Sequence, residues 1–209
     1  MQIAFALFDR FTALDIVGPF QVLAEQPGHR PVWVAAQRGP VMDHTGHLPI
    51  TAEASFDEVT SPDVIVVPGG VKVQDHIPGH PIIEWLQNVS KTSTWTTSVC
   101  TGSLFLAAAG LTSGIDSSCH WASVSLLEGL GANYVEDRVV ERGKIITSAG
   151  VSSGIDMALT LTDRLHGAAM AQAIQLAIEY DPQPPFNAGS PRTAPPDIVE
   201  LVKAFRGMS

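Results

Sequence analysis

The sequence predicts an α/β fold with a mainly parallel central sheet covered by helices on both sides. Three observations carry this. Short runs at 2–8, 63–67 and 93–99 are dominated by apolar or β-branched residues, as strands are when both faces of a sheet are covered. Stretches with helical patterning alternate with these runs. One strand passes without a spacer into a small-residue helix, at Cys100.

Taken in order, 2–8 reads as a buried strand and 15–25 as a helix opening on Leu14-Asp15-Ile16-Val17-Gly18-Pro19. A second strand follows at 31–37, and 41–51, with Gly46 and Pro49, reads as an irregular hairpin. The apolar strand 63–67 is stopped by Pro68-Gly69-Gly70, and 81–89 is a helix. The strand 93–99 leads into a helix over 101–109. Residues 120–130 read as helical, and 134–141 with 144–147 as a hairpin turning at Arg142-Gly143. A long helical pattern spans 154–180 with a break at Gly167. Prolines 182, 184, 185, 191, 195 and 196 crowd 181–196, which excludes regular structure and predicts an extended strap. A short helix at 198–205 closes the chain. No repeat or linker divides the 209 residues, so one domain over 1–209 is expected.

Composition excludes several classes. Hydrophobic residues make up 45% and charged residues 16%, the reverse of a disordered chain. Twelve Lys and Arg stand against 21 Asp and Glu, a net charge of -9, which offers no footprint for nucleic acid or an anionic membrane. No apolar run is long enough to span a bilayer, and no basic segment precedes the first apolar run. Two cysteines, Cys100 and Cys119, point to a reducing cytoplasm rather than a disulfide scaffold.

Chemistry concentrates at Trp95-Thr96-Thr97-Ser98-Val99-Cys100-Thr101-Gly102-Ser103-Leu104. The pattern puts a thiol at the tip of a sharp strand-to-helix turn, as in a nucleophile elbow. A thiol facing a helix amino end is expected to titrate below its free value of about 8.5, toward about 5. Gly69 and Gly70 end the neighbouring strand, and their N–H groups with those of Thr101 and Gly102 are expected to form an oxyanion pocket. Asp15 reads either as a helix N-cap or as a carboxyl held near the thiol to exchange protons. Cys119 reads as a buried structural thiol. The pairs His44/His47 and His76/His80 match no zinc spacing, so no metal site is expected; His120 reaches the thiol only if the fold brings it there.

At these residues the chain resembles the ThiJ/PfpI superfamily, the class I glutamine amidotransferase-like group. Leu14-Asp15-Ile16-Val17-Gly18-Pro19, Val67-Pro68-Gly69-Gly70, Ser98-Val99-Cys100-Thr101-Gly102-Ser103 and His120-Trp121 fall in that family's order. Within it, the segments 179–191 and 154–161 resemble the isocyanide (isonitrile) hydratase subgroup. The resemblance implies a flavodoxin-like three-layer sandwich, a homodimer, and no metal or organic cofactor. It carries over Cys100 as nucleophile, Asp15 as its carboxyl partner and Thr101 as a positioning residue beside the thiol. Ile16, His120, Trp121 and Val151 are the expected walls of a mostly apolar substrate pocket.

The implied activity is that of a hydro-lyase: isocyanide plus water gives an N-substituted formamide through a covalent cysteine thioimidate, with Asp15 relaying protons. Thr101 stands where the superfamily's peptidases carry a histidine, which argues against proteolysis. Related transcription regulators need a further DNA-reading domain and a basic face, neither of which this acidic sequence offers. The other readings are a non-catalytic or redox-sensing relative with an oxidisable Cys100, or a small-molecule hydrolase or glyoxalase-like enzyme.

Overall fold

A computed structural model describes residues 1–205. The strands are β1 (Gln2–Ala6), β2 (Arg30–Ala35), β3 (Gly39–Met42), β4 (Pro49–Ala52), β5 (Ala54–Ser55), β6 (Val64–Val67), β7 (Trp95–Val99), β8 (Asp116–Ser117), β9 (Asn133–Tyr134), β10 (Val139–Arg142) and β11 (Ile145–Ser148). The helices are α1 (Ala13–Leu23), α2 (Val73–His76), α3 (Pro81–Val89), α4 (Gly102–Ala108), α5 (Val124–Gly129), α6 (Ser153–His166), α7 (Ala168–Ala177) and α8 (Pro196–Phe205).

Seven strands form the central sheet in the order β10-β11-β7-β6-β1-β2-β5. Every neighbouring pair is parallel except β10 with β11, which meet in an antiparallel hairpin. β1 and β6, at the centre, are almost wholly buried. Helices α1, α6 and α7 pack against one another as one layer, and α2, α3, α4 and α5 form another group. The result is the flavodoxin-like three-layer sandwich, with β1, β6, β7 and β11 all ending at the same edge.

The break at Gly167 separates α6 from α7, where φ is 83°, a left-handed value that glycine alone adopts at little cost. The tight hairpin at Gly143 also uses a positive φ, 59°. The single strand expected over 134–141 is instead two. β9 pairs in parallel with β8, whereas β10 pairs with β11, and the exposed residues Glu136, Asp137 and Arg138 lie between them. Helix α5 starts later than expected, after a 3-10 turn at Trp121–Ser123 whose Ala122 N–H donates to His120 Nδ1 at 3.2 Å. Residues 181–195 carry no regular element, as their prolines require, and are largely exposed. The expected domain runs on to Ser209, and 206–209 lie outside the described residues. No described helix is long and apolar enough to cross a membrane.

Candidate active site

Cys100 follows β7 directly and has φ 61°, a strained left-handed conformation for a residue with a side chain. The strain is held from behind. The Cys100 N–H donates to Ala149 O at 2.8 Å and to Ser148 O at 3.1 Å. Beneath the turn, Ser98 Oγ and Ser103 Oγ lie 2.9 Å apart, and Ser103 Oγ donates to Ser118 O at 2.7 Å. The elbow read from the sequence is therefore present and braced by buried hydroxyls.

Asp15 is fully buried. It lies inside the first turn of α1, not at its N-cap, which is Thr12. Its Oδ2 accepts a 2.9 Å hydrogen bond from the Gly69 N–H, and its carboxyl lies close enough to the Cys100 thiol to act on it electrostatically. The helix-cap reading of Asp15 is thus set aside, and the carboxyl stands beside the thiol.

Gly69 and Gly70 have a different task from the one their position suggested. The Gly69 N–H is used by Asp15, and the Gly70 N–H donates to Thr101 Oγ1 at 2.9 Å. Thr101 Oγ1 in turn donates to Gly70 O at 3.0 Å. These groups fix the two side chains rather than point at a ligand. A Cβ on Gly69 would stand 2.5 Å from Thr101 N and from Thr101 Oγ1, so the close approach requires glycine. Gly102 is required for packing, since a Cβ there would lie 2.4 Å from Val67 O.

The N–H groups directed at the sulfur come from Thr101 and Val151. Val151 was expected only as a pocket wall; its backbone donor was missed, because it comes from the loop after β11. Small residues after a strand, Ala149-Gly150-Val151-Ser152-Ser153, were the available signal. His120 does come to this edge: a Cβ on Gly150 would stand 2.9 Å from its Cδ2. Trp121 stacks on His120 with ring centroids 5.5 Å apart and faces the strap residues Gly189, Ser190 and Pro191. Ile16 is fully buried in the core. Cys119 is buried and unpaired to Cys100, and its Sγ donates to His120 O at 3.3 Å.

The thiol's electrostatics overturn one expectation. Burial pushes the Cys100 thiol well above its ordinary value, and the Asp15 charge pushes it further. The Val151 and Thr101 N–H groups act in the opposite direction without prevailing. Helix α4 has only seven residues, and desolvation of a thiol that is 3% exposed is the largest influence on it. Burial and the neighbouring carboxyl thus both favour the protonated thiol over the thiolate.

A parallel sandwich with a strained elbow cysteine, a clamped carboxyl on its thiol and two backbone donors defines a class of cysteine-centred α/β proteins. The chain belongs to the DJ-1/PfpI family, whose model matches residues 1–164. Among its relatives is the isonitrile hydratase of Pseudomonas putida, 42% identical over 96% of this chain and 87% of that protein. The crystal structure of a ThiJ/PfpI family protein from Pseudomonas syringae superposes with a TM-score of 0.92 at 35% identity, covering 99% of this chain and 87% of that one. The HTH-type transcriptional regulator GbdR of Pseudomonas aeruginosa is 29% identical over 86% of this chain, which spans 51% of the regulator.

Proposed function

We propose that this protein hydrates an organic isocyanide to the N-substituted formamide, with Cys100 as nucleophile and Asp15 as proton carrier. The observation that carries the reading is the buried Asp15 carboxyl, clamped by Gly69 and set against the Cys100 thiol. The 42% identity to a protein named isonitrile hydratase supports the same substrate class.

The terminal carbon of R–NC needs both a proton and a nucleophile. The thiol and Asp15 hold the proton between them. As the Cys100 sulfur bonds to that carbon, Asp15 passes the proton to the same carbon, giving the thioimidate R–N=CH–S. No free thiolate has to accumulate, so a raised thiol pKa is compatible with the step. Water then adds to the thioimidate carbon; Asp15 takes one of its protons and the nitrogen gains one. The tetrahedral adduct collapses, the C–S bond breaks, R–NH–CHO leaves and the thiol–carboxyl pair regains its proton. The atoms balance as R–NC plus water, and covalent catalysis divides one difficult addition into two. The Val151 and Thr101 N–H groups stabilise charge on sulfur as the C–S bond breaks. Thr101, tied to Gly70, keeps its own N–H aimed at the sulfur. His120, Trp121 and Val151 are the side chains we assign to the substrate pocket, with Ile16 packed in the core.

A homodimer in the reducing cytoplasm completes the reading. Leu14 and Val17 on α1 are 44% and 38% exposed, and Leu176 on α7 is 78% exposed, apolar surface that a second copy would cover. Light scattering should give twice the 22.2 kDa chain mass. The decisive experiment is to mix the purified protein with an aryl isocyanide and follow formamide by absorbance. Formamide formed in proportion to enzyme supports the assignment; no turnover with any of several isocyanides overturns it.

A further inference from the structure

Away from the thiol, two histidines far apart in sequence meet at the surface. His29 Nε2 and His166 Nε2 lie 2.9 Å apart, although 137 positions separate them in the chain. Their ring centroids are 5.0 Å apart. Neither residue has a sequence neighbour that suggests a ligand pair, and only the fold reveals it.

The tautomer of His29 follows from its other contact. His29 Nδ1 lies 2.7 Å from Leu23 O, and a carbonyl only accepts, so Nδ1 carries the proton. In the neutral ring, Nε2 is then an acceptor, and the 2.9 Å contact is a hydrogen bond that His166 Nε2–H donates to it. A ring proton donated to a backbone carbonyl is the usual way a metal-binding histidine is oriented. A cation would take the place of the proton shared between the two Nε2 atoms, because the exposed His166 ring can carry its own proton on Nδ1 instead.

The backbone adds a second, independent argument. Leu23 is the last residue of α1, and His166 is the last residue of the 14-residue α6. Two helix carboxyl ends, each with its partial negative charge, therefore converge on the pair. The charged groups around it are the Met1 ammonium, which donates to Gly28 O at 2.7 Å, and Arg164, which is held by Asp163 at 2.6 Å and by Glu141 at 3.0 Å. Met1 and His166 both disfavour a proton on His29, as does burial, which acts most strongly.

The geometry points to a two-histidine site for a borderline divalent cation, Ni²⁺, Cu²⁺ or Zn²⁺, formed by His29 Nε2 and His166 Nε2. Imidazole nitrogens bind such ions at about 2.0–2.1 Å, so two of them in adjacent coordination positions stand about 2.9–3.3 Å apart. The hydrogen-bonded separation of 2.9 Å lies at the lower end of that range, so exchanging the proton for an ion needs only a small opening of the pair. Among the described residues no group of three or more His, Cys, Asp or Glu gathers around an ion position. Water therefore fills the remaining positions, and the ion exchanges freely. The site lies on α6 and the α1–β2 turn and is separate from the Cys100 chemistry.

The test is calorimetric titration of the untagged protein with NiCl₂ near neutral pH, with Ni²⁺ chosen because it oxidises no thiol. One ion per chain with micromolar affinity is expected. His29→Gln and His166→Gln should each weaken binding by about tenfold or more, and the double variant little further. Circular dichroism without metal checks that both variants fold. His44→Gln should change nothing, and acidification should weaken binding as protons compete for both rings. Binding that survives His166→Gln, or that disappears in Cys100→Ser instead, would overturn the site, as would no binding at millimolar Ni²⁺.

Discussion

The Gly69 N–H donates to Asp15 Oδ2 at 2.9 Å, and this one bond joins the end of β6 to the first turn of α1. It leaves the rest of the carboxyl for the thiol on the next strand. It also explains why the residue is glycine, since a Cβ would lie 2.8 Å from that same Oδ2. The clamp and the elbow are therefore one unit, and most of the following expectations probe it.

Cys100→Ala should abolish formamide production, whereas Cys119→Ser should keep most of it. Cys100 sits on the strained turn beside Asp15, while Cys119 donates to the His120 carbonyl and faces no carboxyl clamp. Steady-state rates of the two variants with one isocyanide check this. Equal losses would mean that the elbow is not where the chemistry happens.

Asp15→Asn keeps an oxygen that can accept from Gly69, so the fold should survive with little loss of stability. It removes the proton carrier, and kcat should fall by about a hundredfold or more. Full activity in a folded Asp15→Asn protein would assign Asp15 a structural role only.

Gly69→Ala separates packing from chemistry. The new methyl would meet Thr101 N and Oγ1 at 2.5 Å, so the neighbours must shift. The expected cost is about 1–3 kcal/mol of stability, the range for overpacking, together with loss of activity as Asp15 and Thr101 move. Gly129→Ala is the control: it lies in α5 with open space around its Cβ, and it should be neutral or slightly stabilising. Urea unfolding of both variants makes the comparison.

Much of this unit was legible in the sequence because its parts sit in short local signals. A β-branched strand ending on Cys100, two glycines after an apolar strand, and an aspartate opening a helix each announce themselves. What was not legible is what depends on the third dimension. The N–H groups of Gly69 and Gly70 were read as ligand donors, but the fold turns them onto Asp15 and Thr101. Val151 acts through its backbone, which no side-chain pattern reveals. The direction of the thiol's shift depends on the third dimension in the same way: a helix amino end is visible in sequence, whereas burial beside a carboxyl, which favours the protonated thiol, is not. The split between β9 and β10 was hidden because Val135 N–H donates to Ser117 O at 3.0 Å, a partner distant in sequence.

The raised thiol has a direct kinetic consequence. Alkylation of Cys100 should accelerate only above the free-cysteine range of about 8.5, since burial and Asp15 both oppose the thiolate. Asp15→Asn removes the repelling charge, so its midpoint should fall. Iodoacetamide rates against pH for both proteins measure it. A wild-type midpoint well below the free value would restore the helix-dipole picture and remove the shared-proton step.

The second thiol makes the last prediction, which concerns stability rather than chemistry. Burial pushes Cys119 up to about 12, with the Glu128 charge adding to it. In the unfolded chain the same thiol titrates near about 8.5. Between these values the folded protein holds a proton that the unfolded chain has released. The unfolding free energy therefore falls as pH rises through that window, and is unaffected by this group below it. By about pH 10 the loss from Cys119 alone should be about 2 kcal/mol. Cys119→Ala lowers stability at neutral pH by leaving a small void, yet its stability should decline less steeply between neutral and alkaline pH. The slope, not the absolute value, carries the test, because exposed lysines titrate alike in both proteins. Urea midpoints at pH near 7.5 and near 10 supply it. Parallel slopes for the wild type and Cys119→Ala would mean that the Cys119 thiol ionises in the folded state and that its pocket is wetter than its 1% exposure requires.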